Sequence, residues 1–224
     1  MQVFDLEYWS QTIGILMRGT ADTLYMVGFA SLFAVIAGLV LGILLYITNP
    51  GGIRAMPVLN RVLGVIVNIG RSIPFVILII AVFPLSKFIV GTTIGSTASI
   101  VPLTISAIPF VARLVEATLN ELGFGIIEVA ISAGATPMQI VFKVLLPESA
   151  SGLVSAFTIT VINIIGYSAM AGTIGGGGLG DTAIRLGYQR FRTDIMIYII
   201  IILVILVQVI QLLGQYIARK LDKR

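Results

Sequence analysis

Residues 23–53, TLYMVGFASLFAVIAGLVLGILLYITNPGGI, run without a single charged side chain. A helix needs ~20 apolar residues to cross ~30 Å of hydrocarbon, so this run is long enough to span a bilayer. The Asn49-Pro50-Gly51-Gly52 turn signal closes it. Inside it Ala34, Gly38 and Gly42 recur every fourth residue, a stripe of small side chains that lets another helix approach closely; its reading is packing rather than ligand binding. Two further charge-free runs, Phe88–Ala112 and Ile195–Ala218, are also long enough to span. Composition agrees: 58% of the 224 residues are hydrophobic and 11% charged, where a soluble domain carries about 25% charged residues.

The same composition narrows the chemistry. The chain has no Cys and no His, which removes thiol nucleophiles, imidazole acid–base catalysis, disulfides and the usual zinc ligand sets. The net charge of +4 comes from basic residues that are scattered or flank apolar segments, without interleaved aromatics, so membrane lipid headgroups rather than nucleic acid are the expected partner. Residues 1–12 carry Asp5 and Glu7 and no basic residue, unlike the start of a signal peptide, and the first apolar segment is expected to stay as a span.

Five spans are expected, near Leu24–Thr48, Val62–Pro84, Ala98–Leu119, Ser149–Ala171 and Ile195–Ala218, giving an all-α membrane protein with its termini on opposite sides. Arg54 and Arg61 follow the first turn, and Arg219, Lys220, Lys223 and Arg224 form the densest basic cluster. Both read as cytoplasmic, with the N-terminus outside. Eight basic residues then lie inside and Arg18, Lys87, Arg185, Arg190 and Arg192 outside. Residues 1–224 read as one membrane domain, with a cytoplasmic loop at about 120–148. Pro74 in span two, and Pro102 and Pro109 near or within span three, free backbone carbonyls that must be buried in protein or line a cavity.

That loop holds Glu128-Val129-Ala130-Ile131-Ser132-Ala133-Gly134, then nine residues, then Val144-Leu145-Leu146-Pro147. A short helix ending at a glycine with positive φ, followed by a second helix started by Thr136-Pro137, explains the pattern. By itself it also suits an interfacial amphipathic helix. The spacing resembles the EAA loop of ABC importer permeases, with Val129 and Val144 as conservative departures. Asn68-Ile69-Gly70-Arg71-Ser72-Ile73-Pro74-Phe75, the run Gly134-Ala135-Thr136-Pro137-Met138-Gln139-Ile140-Val141, and Gly166-Tyr167-Ser168-Ala169-Met170 resemble the methionine-importer permeases, five-span members of the type I importers. The resemblance implies a homodimer, two ABC ATPase subunits that bind the ATP and Mg, and an extracytoplasmic methionine-binding lipoprotein, in the bacterial inner membrane. It implies that Glu128, Ala130, Gly134, Leu146 and Pro147 couple to the ATPase. The substrate is then methionine of either enantiomer, the alternative being another small amino acid.

No cofactor is expected in this chain itself. A phosphate-binding loop needs Gly, four residues and Gly-Lys-Ser/Thr; the nearest stretch, Gly175-Gly176-Gly177-Gly178-Leu179-Gly180-Asp181-Thr182, puts a carboxylate where the lysine is required. It reads instead as a flexible extracellular loop whose glycines let backbone pack closely or move. Asn163, Tyr167 and Met170 follow i, i+4, i+7 spacing and share a helical face, with Ser168 beside them; helix packing is the plainer explanation, and the resemblance favours a substrate path. Arg71 within span two either lines that path with Asn68 or snorkels to the headgroups. Glu116, Glu121, Glu128 and Glu148 read as solvated cytoplasmic residues. An ion-coupled transporter would place an acidic residue deep in a span, and none is found there. An intramembrane hydrolase lacks a base for its serines.

Overall fold

The computed structural model describes residues 6–222. Asp5, Lys223 and Arg224, which entered the topology reading, lie outside them. Regular structure among the described residues is helical throughout. The order is α1 (Leu6–Thr48), α2 (Pro57–Ser72), α3 (Phe75–Val90), α4 (Ser96–Asn120), α5 (Phe124–Ser132), α6 (Pro137–Ile140), α7 (Leu146–Glu148), α8 (Ala150–Gly172), α9 (Gly178–Thr182) and α10 (Thr193–Leu221). Wider π turns occupy Val141–Leu145 and Ala183–Tyr188.

Four helices, α1, α4, α8 and α10, are long and apolar enough to cross a membrane, and α2 with α3 makes a fifth, broken span. Spans three to five fall where expected. The other two differ. α1 has 43 residues and begins well before Leu24. The second span is interrupted where Ile73 turns extended (φ −81°, ψ 121°) and Pro74 caps the next helix. Pro74 has no N–H for the helix ladder and biases the residue before it toward extended backbone, so the chain ends one helix and starts another there.

The described residues fall into two compact units. The first contains residues up to Leu32, Pro74–Ile105 and Val161–Ile210. Its apolar core gathers Leu179, Leu186, Ile195 and Ile199, against which Ile15, Leu16 and Leu203 pack. Here the glycine-rich stretch is not a loose loop. Gly175, Gly177 and Gly178 adopt positive φ, 81°, 76° and 76°. A Cβ on Gly176 would lie 2.6 Å from the Ala171 carbonyl oxygen, and one on Gly178 2.6 Å from Thr23 Oγ1. Gly95 N–H donates to the Gly175 carbonyl (2.9 Å), Leu179 N–H donates to Thr23 Oγ1 (2.9 Å), and Ser99 Oγ lies 3.1 Å from the Gly176 carbonyl. Close packing, the other half of the sequence reading, is what these glycines serve.

The second unit contains Phe33–Ile73, Ser106–Thr160 and the residues from Gln211 on. Leu45, Val67 and Ala112 form its core cluster, with Leu41 and Leu63 beside them. The small-residue stripe does what its spacing predicts: a Cβ on Gly42 would sit 2.6 Å from Val115 Cβ and 2.7 Å from the Ala112 carbonyl oxygen, so α1 and α4 pack here in direct backbone contact. Gly70 on α2 meets the ring of Pro109 in the same way, at 2.7 Å.

Candidate functional site

The loop between α4 and α8 is built by local backbone rules. α5 ends at Ser132 with Ala133 as its cap, and Gly134 turns left-handed with φ 77°. Gly134 N–H donates to the Ile131 carbonyl (2.9 Å) and Ala135 N–H to the Ala130 carbonyl (3.0 Å), the paired bonds of a Schellman C-cap. Two residues on, Thr136 and Gln139 form a capping box: Thr136 Oγ1 accepts from Gln139 N–H at 3.3 Å and Gln139 Oε1 from Thr136 N–H at 2.9 Å. Pro137 takes the first position of α6, where its missing N–H costs nothing. The result is a helix–turn–helix fixed at its centre by seven consecutive residues, Ala133 to Gln139.

The Leu146-Pro147 pair also acquires a structural reason. Pro147 would clash with the carbonyl four residues back in a regular helix. The π turn over Val141–Leu145 widens the helix just ahead of it, with Leu146 N–H donating five residues back to Val141. Glu128 and Pro147 are exposed, and Ala130 and Leu146 are half-buried. Val129, Ile131, Met138 and Phe142 are at least half exposed. Four large apolar side chains presented together on one loop form a surface suited to another protein.

The candidate path residues lie on α8 in the first unit. Tyr167 stacks on Phe75, ring centroids 4.8 Å apart and planes 9° from parallel. That fixes its ring. Met170 is 46% exposed and Asn163 half-buried. Ser168 differs from them: it is buried and its hydroxyl donates to the Ile165 carbonyl at 2.7 Å, which points it away from the face that Asn163, Tyr167 and Met170 share.

In the second unit Asn68 is already occupied. Its Oδ1 accepts from Arg113 Nη2 at 2.9 Å, the same nitrogen donates to the Gly64 carbonyl at 3.2 Å, and Arg113 Nη1 pairs with Glu116 at 2.6 Å. Arg113 thus clamps α2 to α4. Its i, i+3 spacing from Glu116 is the signal of this pairing in the sequence. Arg71 is exposed and has no hydrogen-bond or ion-pair partner among the described residues, so the carbonyls freed by Pro74 do not engage it. It lines an open recess of about 480 Å³ with Phe110, Arg113, Leu114, Glu116, Ala117 and Asn120.

A second polar cluster, in the first unit, was not legible. Tyr8 donates a hydrogen bond to the Asp194 carboxylate. Arg192 donates to Tyr8 Oη (2.6 Å) and Asp194 (3.1 Å), and its guanidinium lies 4.8 Å from the centre of the Tyr8 ring. These contacts join the start of α1 to the start of α10.

Residues 38–224 match the family described as binding-protein-dependent transport system inner membrane component. The chain belongs to that family. It is 49% identical over 218 residues to a Vibrio cholerae protein described as a probable D-methionine transport system permease protein MetI, covering 97% of each chain. To the Escherichia coli K12 D-methionine transport system permease protein MetI it is 53% identical over 158 residues, 70% of this chain and 73% of that one. A chain solved in inward facing conformations of the MetNI methionine ABC transporter superposes with a TM-score of 0.94 at 48% identity, over 95% of this chain and 99% of that one. The fold is therefore that of a type I ABC importer permease.

Proposed function

We propose that this chain is the membrane-spanning subunit of an ATP-driven importer for methionine. The observation that carries the proposal is the likeness to the methionine transporter at 48% identity over 95% of the chain, since it covers the coupling loop and the candidate path alike. In this reading two copies pair, an ABC ATPase subunit that binds the ATP and Mg docks on each loop, and an extracytoplasmic methionine-binding lipoprotein delivers substrate. This chain contributes no catalysis and no cofactor. Its N-terminus faces outward and its C-terminus the cytoplasm, in keeping with the basic residues at Arg219 and Lys220.

Mechanism follows from where rigidity and exposure lie. The rigid helix–turn–helix around Gly134 presents Val129, Ile131, Met138 and Phe142 to a groove on the ATPase, so that its closure on ATP moves the helices that continue from the loop. Asn163, Tyr167 and Met170 face the substrate. The Phe75 stack holds Tyr167 still, while the thioether of Met170 is flexible and polarizable, which suits a gate that closes on an apolar side chain. Specificity comes mainly from the lipoprotein.

Reconstitution tests this. Proteoliposomes holding the chain with its co-purified ATPase, supplied with the lipoprotein, ATP and Mg, are expected to accumulate methionine. A tagged chain that captures no ATPase from native membranes, or liposomes that take up another amino acid in preference, would refute the proposal.

A further inference from the structure

We infer that the recess between α2 and α4 is a binding site for the carboxylate of the transported amino acid, with Arg71 as its receptor. This deepens the importer reading above and rests on it. Pro109, whose ring meets Gly70, is the fourteenth of the 25 residues of α4, so the Arg71 backbone stands level with the middle of that helix, which is long and apolar enough to span. A charge there must face protein, water or a counter-ion.

The neighbours do not supply one. Glu116 is held by Arg113 at 2.6 Å, and the other arm of Arg113 is spent on Asn68 and the Gly64 carbonyl. Two arginines and one glutamate line the recess, which leaves it one positive charge in excess. The last turn of α2 offers only the partial negative charge of its carbonyls, and one of these, that of Asn68, already accepts from Ser72 Oγ at 2.7 Å. The Arg71 guanidinium therefore keeps its donors free, in the planar fork that fits a carboxylate with two parallel bonds.

The remaining walls fit the rest of such a ligand. Phe110 and Leu114 offer apolar surface for a side chain, and the Asn120 amide oxygen offers an acceptor for an ammonium. At about 480 Å³ the recess is within the range of small-molecule sites.

The test uses the full-length chain in phosphatidylcholine nanodiscs titrated with radiolabelled methionine. Expected is saturable binding that Arg71→Gln weakens about tenfold, that Arg71→Lys weakens less, and against which methioninol, with a hydroxyl in place of the carboxylate, does not compete. Unchanged binding in Arg71→Gln overturns the assignment. So does methioninol competing as well as methionine on the unaltered chain, a comparison that needs no variant to fold. Nanodiscs containing phosphatidylglycerol separate the sources of anion: if Arg71→Gln loses bound phosphatidylglycerol but not methionine, the occupant is a lipid headgroup and the assignment falls. ATP-driven uptake is measured alongside. If the unaltered complex imports methionine and Arg71→Gln imports it at the same rate, the carboxylate site is refuted alone; if the unaltered complex imports none, the importer reading itself fails.

Discussion

Replacing Gly134 by valine isolates what the turn contributes to coupling. A Cβ at this position would meet nothing within 4 Å, so the added β-carbon introduces no clash with the rest of the chain. Its whole effect comes from φ 77°. The left-handed region costs an L-residue roughly 1–2 kcal/mol, and β-branching puts valine at or above the upper end. Relief requires φ to become negative, which breaks the Gly134–Ile131 and Ala135–Ala130 hydrogen bonds and re-aims α6 relative to α5. With ~2 kcal/mol against the native turn, the fraction of loops in docking geometry relative to distorted ones falls roughly 25-fold. Alanine should cost about 1 kcal/mol, near fivefold, and asparagine least, because its side chain tolerates this region. The assay is co-purification of the ATPase with each tagged variant, followed by ATP hydrolysis and methionine uptake in proteoliposomes. The expected order of coupling is Gly, Asn, Ala, Val, with unchanged membrane insertion in all four. Parental uptake by Gly134→Val, or loss in asparagine equal to that in valine, would refute the dihedral argument.

Three other outcomes are expected. Gly42→Leu places side-chain atoms where Val115 and the Ala112 carbonyl already stand, an overpacking cost of about 1–3 kcal/mol; it should lower the midpoint of thermal unfolding in detergent by several degrees, and an unchanged midpoint rules out close α1–α4 packing. Met170→Ala should raise basal ATP hydrolysis or alter uptake, and Met170→Trp should block uptake by filling the path, with assembly intact in both; parental import by both variants would make Met170 a packing residue. An alkaline-phosphatase reporter fused after residue 224 should be inactive, and activity there inverts the topology.

The fold was legible wherever its limits were set locally. Spans three to five ended within a few residues of α4, α8 and α10 because charged residues, glycine or proline bound them. The first helix was misjudged at its start, since Arg18 and Asp22 look like a boundary. What carries α1 past them is remote: Ile15 and Leu16 pack on the Leu179–Ile195 cluster, and Tyr8 bonds to Asp194, 186 residues away. The glycine-rich stretch was half-read for the same reason. A run of glycines fixes only what backbone is allowed to do, and it was Thr23 and Ser99, distant in sequence, that determined its packing. At the candidate coupling loop every deciding contact lies within six residues, so Gly134, Thr136, Pro137 and Gln139 declared their roles in the sequence itself.

The same distinction governs the charges. A basic residue beside an apolar run suggests a headgroup contact, yet Arg113 and Arg192 are each spent on clamps between helices, one in each unit. Each clamp holds a carboxylate, Glu116 or Asp194, and each also engages an uncharged polar side chain, Asn68 or Tyr8. Such a clamp is electrically closed, because its cation and its anion neutralise one another at contact distance and leave little field for a ligand. Arg71 shares its recess with one closed clamp and has none of its own. A cation whose only role was to stabilise the fold would be expected to share in such a pair; one kept open beside a satisfied pair has its charge available to something that comes and goes.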